Sequence, residues 1–191
     1  MKHAWRVGRI AGIEIRIDSS WFVILILFTW SLASSHFPEK FPDWPPLQLW
    51  LVGLVTSLLI FASVLIHELS HSLVAIAQGE KVKSITLFIL GGVAQISEEP
   101  KQPVQEFFMA LIGPITSFAI GFAAIVFSFF LKGTSETIGA VVSYLGLMNI
   151  ILAVFNLLPG FPMDGGRVLR SIIWEVTGDL RKATKIASRI G

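Results

Sequence analysis

The chain contains no cysteine. Disulfides and thiolate metal sites are therefore excluded, and any zinc has to be held by histidine and carboxylate. Charge is scarce too. Asp, Glu, Lys and Arg make up 15% of the residues, against about 25% in a soluble domain, and the mean hydropathy is +0.72. A single tyrosine stands beside six tryptophans and fifteen phenylalanines, a stock suited to lipid-facing and interfacial positions. No nucleic-acid motif occurs, and the net charge is only +2. No repeat of roughly 20–50 residues, low-complexity stretch or second soluble domain is evident either. What remains is a membrane protein whose partner is the lipid bilayer.

Judged against the requirement for about 20 apolar residues, charge-free windows predict four spans. They lie within Ser19–Pro38, from Leu47 to about Ala77, at Phe107–Leu131 and within Thr137–Met163. The first is an uncleaved span rather than a signal peptide, because Leu32-Ala33-Ser34-Ser35 is a poor cleavage site. Gly113-Pro114 predicts a packing kink in the third. Between the second and third spans, Val82–Ser97 carries β-branched and aromatic residues around Gly91-Gly92 and reads as a β-hairpin. Such a hairpin either simply connects or dips back into the protein, provided its edge is paired or lines a cavity. Beyond Gly166, Val168, Leu169, Ile172, Ile173 and Val176 recur at helical spacing and predict an amphipathic helix, and Ala183, Ile186, Ala187 and Ile190 predict another. The expected fold is an all-α polytopic membrane protein with a small re-entrant β-hairpin, four complete transmembrane helices and the start of a fifth. Residues 1–191 are expected to form one membrane core that continues beyond Gly191.

Lysine and arginine orient these spans. Lys2, Arg6, Arg9 and Arg16 precede the first; Lys81, Lys83 and Lys101 follow the second; Arg167, Arg170, Arg181, Lys182, Lys185 and Arg189 follow the fourth. The opposite side has Lys40 and Lys132 alone, a split of thirteen to two that predicts both termini in the cytoplasm.

Residues 67–71 read His67-Glu68-Leu69-Ser70-His71, an H-E-x-x-H motif at the end of a stretch, Trp44–Ile66, without one charge. On a helix the two histidines share a face, which suits two zinc ligands with the glutamate beside the metal as general base. Ionisable groups inside a span cost roughly 2.5–3.5 kcal/mol each at its centre and are functional by default. The motif therefore predicts metal-dependent hydrolysis within the membrane. The second and fourth spans both run inward, so Asp164 emerges at the same end as the histidines. Topology nominates it as the third ligand and sets the zinc site between those two spans.

The H-E-x-x-H on the second span and Asn156-Leu-Leu-Pro-Gly-Phe-Pro-Met-Asp164-Gly-Gly after the fourth together resemble the site-2 protease family of intramembrane zinc metalloproteases. The likeness runs from the first span to about Arg170. It is closest to the bacterial and archaeal branch, which commonly carries nucleotide-sensing CBS modules after the membrane core. It implies one zinc on His67, His71 and Asp164, Glu68 activating the attacking water, and Asn156 contacting substrate. Gly91, Gly92 and Val93 fall in a strand that the likeness assigns to aligning an extended substrate. Met163 stands where the family often has leucine, a volume-conserving change. The implied substrate is a transmembrane protein, whose helix must unwind to present a peptide bond. A zinc-binding membrane protein without protease activity, either a transporter or an inactive scaffold, is the alternative. A transporter would spread ionisable groups along a path across the bilayer, and a scaffold would have no need of Glu68.

Overall fold

The computed structural model describes residues 4–97, 100–131 and 133–190; Lys2, Lys132 and Gly191 lie outside them. Strands β1 (Ala4–Ile10) and β2 (Ile13–Asp18) lead into α1 (Ser19–Ser31). This helix passes through a π turn at Leu32–His36 into the short α2 (Phe37–Lys40). Next come α3 (Pro46–Ala77), β3 (Val82–Phe88), β4 (Gly91–Ile96), α4 (Pro103–Phe130), α5 (Glu136–Asn156), α6 (Asp164–Thr177) and α7 (Leu180–Ala187). Among the described residues four helical segments are long and apolar enough to cross a membrane: Ser19–Lys40, Pro46–Ala77, Pro103–Phe130 and Glu136–Asn156. Phe22, Ile26, Leu54, Phe118, Phe122 and Val154 are exposed along them.

Expectation and structure part over the β content. In place of one hairpin on an all-α frame there is a four-stranded sheet in the order β1-β2-β3-β4. Ile13, Ile15 and Ile17 alternate with Glu14, Arg16 and Asp18, the period of a half-buried strand. Ala11 (φ 49°) and Gly12 (φ 83°) make the tight turn that folds β1 back on β2. β2 then pairs in parallel with β3, Glu14 opposite Ser84 and Ile17 opposite Leu87. Ile13, Ile15 and Ile85 form a buried cluster backed by Leu65 and Leu69 of α3, which fastens the sheet to the helix carrying the zinc motif. The Gly91-Gly92 pair is not the turn of the second hairpin. Ile89 and Leu90 turn, and Gly91 and Gly92 already pair with Phe88 and Leu87. At the start of a fifth span stands α7, eight residues that include Arg181, Lys182 and Lys185, too short and too charged to cross.

Small residues set the helix approaches. A Cβ on Gly53 would come within 3.1 Å of the Thr29 carbonyl, where α3 crosses α1. Cβ atoms on Gly121 and Gly146 would lie 2.9 and 3.0 Å from each other's backbone oxygens, where α4 crosses α5. In lipid, where apolar burial drives little association, such close contact is the main source of helix adhesion. Helix α3 is central, packed against α1, α4, α5 and the last two strands.

Candidate metal centre

His67 and His71 lie one turn apart on α3, and both are buried. The His71 Nδ1 is 2.6 Å from the Met109 carbonyl oxygen. A carbonyl only accepts, so Nδ1 carries the ring proton and Nε2 presents its lone pair inward. His67 Nδ1 pairs with the Ser117 hydroxyl at 2.9 Å, which leaves its Nε2 facing the same point. The third group arrives from α6. Asp164 is that helix's first residue, where a carboxylate is favoured by the helix dipole. The glycines after it let α6 begin so close to the preceding loop. A Cβ on Gly165 would overlap the Leu157 and Leu158 carbonyls, and one on Gly166 would meet Gly160.

The two Nε2 atoms are 3.2 Å apart, and each is 3.1 Å from Asp164 Oδ2. Two ring lone pairs and a carboxylate turned on one point repel each other unless a cation lies among them. Ligands around tetrahedral zinc at about 2.0–2.1 Å are separated by about 3.3 Å, so the donor set fits zinc without rearrangement. Gly113 of α4 guards the space: a Cβ there would overlap the His71 imidazole and come within 2.8 Å of His67 Cε1. Metal binding requires the carboxyl deprotonated and the imidazoles neutral. His67, His71 and Asp164 thus form a group that can hold a metal ion, with ligand atoms all within 4.8 Å of one another.

Glu68 sits on the neighbouring face of α3, turned toward the sheet. A Cβ on Gly92 would come within 2.4 Å of its Cγ, so this glycine is what lets β4 lie against the glutamate. Asn156 closes α5, with its amide donating to Leu152 O of its own helix at 2.9 Å. The second amide hydrogen and the side-chain carbonyl take no part in that bond. Gly91 (φ 127°) opens β4, and the Val93 side chain is exposed.

Four residues of α4 that the motifs did not single out hold this arrangement. Met109, Gly113 and Ser117 recur every four residues and meet the two imidazoles. One turn earlier lies Glu106, fully buried, whose Oε1 accepts from Arg170 Nε at 2.9 Å and from Nη2, with Arg167 Nε 3.7 Å away. The Arg170 guanidinium also stands over the Phe161 ring, 5.6 Å from its centre. Through Glu106, α4 grips α6 just beyond Asp164. The sequence signal was weak, because Glu106 stands just before the charge-free window that begins at Phe107; the structure places it within the apolar helix Pro103–Phe130.

Comparison with known proteins identifies the family to which the chain is similar. The family model described as Peptidase family M50 matches residues 55–141 and 134–191. A protein of Synechocystis sp., named as a candidate zinc metalloprotease, is 44% identical over 197 residues, covering 100% of this chain and 50% of its own length. Zinc metalloprotease MJ0392 of Methanocaldococcus jannaschii is 37% identical over 194 residues, covering 100% of this chain and 51% of its own. The chain thus spans about half the length of these curated relatives. A solved structure, the site-2 protease from Methanocaldococcus jannaschii, superposes with a TM-score of 0.68 at 34% identity, over 99% of this chain and 80% of that one.

Proposed function

The chain belongs to peptidase family M50, the site-2 protease family of zinc metalloproteases, and from that premise we propose that it is the membrane core of an intramembrane zinc endopeptidase acting on transmembrane proteins. The observation that carries this reading is the convergence of His67 Nε2, His71 Nε2 and Asp164 Oδ2 within 3.2 Å, with Glu68 beside them and facing an open strand. When bound, zinc would supply a Lewis acid that polarises the scissile carbonyl and lowers the pKa of water toward about 7. Glu68 takes the proton of the attacking water and delivers it to the leaving amine. Asn156 uses its remaining amide hydrogen to hold the substrate backbone. One core over residues 1–191, with both termini in the cytoplasm, is part of the same proposal.

The outer edge of β4 receives the unwound substrate. The pair that flanks a two-residue hairpin turn exchanges both its hydrogen bonds. Phe88 and Gly91 are that pair here. Alternation then turns the Val93 backbone toward Thr86 and leaves the amides and carbonyls of Gly92 and Ala94 at the edge. Of the expected contacts Gly91, Gly92 and Val93, Gly92 is the one we retain for backbone pairing, with Ala94 added. An extended peptide added there recovers the hydrogen bonds that unwinding in lipid removes.

Metal analysis and cleavage of a transmembrane substrate by purified full-length protein test the proposal. Glu68→Gln should retain stoichiometric zinc and lose cleavage by roughly 10²–10⁴-fold, and His71→Ala should lose the metal. Wild-type protein without stoichiometric metal, or Glu68→Gln that cleaves normally, would overturn it. The Gln variant also separates the protease from a zinc-holding scaffold, which would be indifferent to the change.

A further inference from the structure

Beside the metal centre, and separate from it, is a cavity of about 340 Å³ lined by Ala94 and Ile96 of β4, Ser97, Met109, Arg167 and Arg170. The charged side chains that line it are both arginines. Arg167 and Arg170 both approach one carboxylate oxygen of Glu106, and Glu106 is fully buried behind them. Two guanidiniums thus face the cavity with one carboxylate behind them, and Glu68 also lies within electrostatic reach of Arg167. Arg170 is committed, bound through two nitrogens and seated over Phe161. Arg167 is not: its nearest Glu106 contact is 3.7 Å, and its side chain is 24% exposed. A cation held this loosely at the wall of a cavity has room for a further anion.

Strand geometry relates the cavity to the proteolytic site. Gly92, Ala94 and Ile96 share one face of β4, since side chains alternate. Gly92 lies against Glu68, while Ala94 and Ile96 line the cavity. At about 3.3 Å per residue, the cavity lies roughly 7–13 Å along the strand from the general base. A peptide paired with β4 would therefore send into the cavity a side chain about two to four residues from the bond being cut.

We infer that the Arg167 cavity is a specificity subsite that takes an acidic side chain of the substrate. The inference rests on the reading of β4 as the strand that binds the unwound peptide. A carboxylate there meets the loosely held Arg167 guanidinium in a wall of mixed polar and apolar surface, a charge-assisted contact of the stronger kind. A lysine at the same position meets two like charges.

The test uses full-length protein in neutral detergent and synthetic transmembrane peptides of Leu and Ala with a central Asn-Gly pair. One position at a time is Glu, Gln or Lys. Mass spectrometry of wild-type digests fixes the cleaved bond, and fluorescence anisotropy on the Glu68→Gln protein reads binding without turnover. Glu should bind about tenfold more tightly than Lys at a single position within about four residues of the cleaved bond. Arg167→Glu should reverse the order at that position alone, and Arg167→Gln, the milder change, should abolish the preference. Zinc content should stay unchanged in both. A preference spread evenly over all positions, or one that survives both Arg167 variants, overturns the subsite. Ala94→Pro removes a donor from the edge and checks the premise separately. If it leaves binding of every peptide intact, the strand-edge reading fails; if it weakens all peptides alike while Arg167 variants change nothing, only the subsite fails.

Discussion

Two glycines decide where the chemistry can happen. Gly113 leaves room for the imidazoles and Gly92 leaves room for Glu68. Gly113→Ala should therefore lower zinc content while the protein still folds, since the added methyl can be relieved by shifting a ligand ring. Gly92→Ala should keep its zinc and lose cleavage by about 10²-fold, the scale of an ångström-sized misplacement of a catalytic group. Metal analysis together with a cleavage assay separates the two variants, and zinc loss in Gly92→Ala would contradict the assignment. The two histidines and Glu68 were legible in the sequence because ionisable groups inside an apolar run announce themselves, whereas Asp164 was reached through topology and the family likeness. These glycines were not. Gly113 read only as part of a Gly-Pro kink and Gly92 only as part of a turn, because the groups they accommodate lie on α3, 24 to 46 positions away.

At the scale of elements, α4 is the common support of all three proposed ligands. It meets His71 through Met109, His67 through Ser117 and, by way of Glu106 and Arg170, the helix that begins at Asp164. Removing one partner of a buried ion pair costs about 3–5 kcal/mol, because the other charge is left without compensation. Glu106→Gln should accordingly lower thermal stability markedly and reduce zinc affinity, although Glu106 touches no ligand. Replacing Glu106 and Arg170 together by Met should recover much of the stability, and thermal unfolding of the single and double variants in one detergent measures the coupling. If Glu106→Gln unfolds like wild type, the pair is not what secures α6. The four long helices and the amphipathic α6 were readable from charge-free windows and apolar spacing. The alternation of Ile13, Ile15 and Ile17 was equally plain, yet the basic residues around it drew attention as topology signals. Its pairing with Ser84–Leu87 is a long-range contact that no local pattern encodes.

For the whole molecule, the thirteen-to-two distribution of Lys and Arg sets the expected orientation. Reporter fusions at Lys40 and Lys132 should read as external and one at Lys101 as internal. The reverse pattern would put the metal centre at the opposite end of the bilayer from the one proposed. The same orientation brings the sheet, the arginine-lined cavity and the metal group to a single end of the helices.

The parallel pairing of β2 with β3 also imposes an order of events in time. Glu14 and Ser84 are neighbours in the sheet although seventy positions separate them (84 − 14), and α1 and α3 lie between. As the chain leaves the ribosome, the first hairpin must wait, one edge open, until both of those helices have been threaded through the bilayer and β3 follows. A two-stranded ribbon is marginal on its own, so β4 gains a firm backing only once that waiting strand is recruited. Asp164 emerges later still, with α6. Connectivity thus withholds the third proposed metal-binding group: no nascent chain that stops short of Asp164 can bring His67, His71 and Asp164 together.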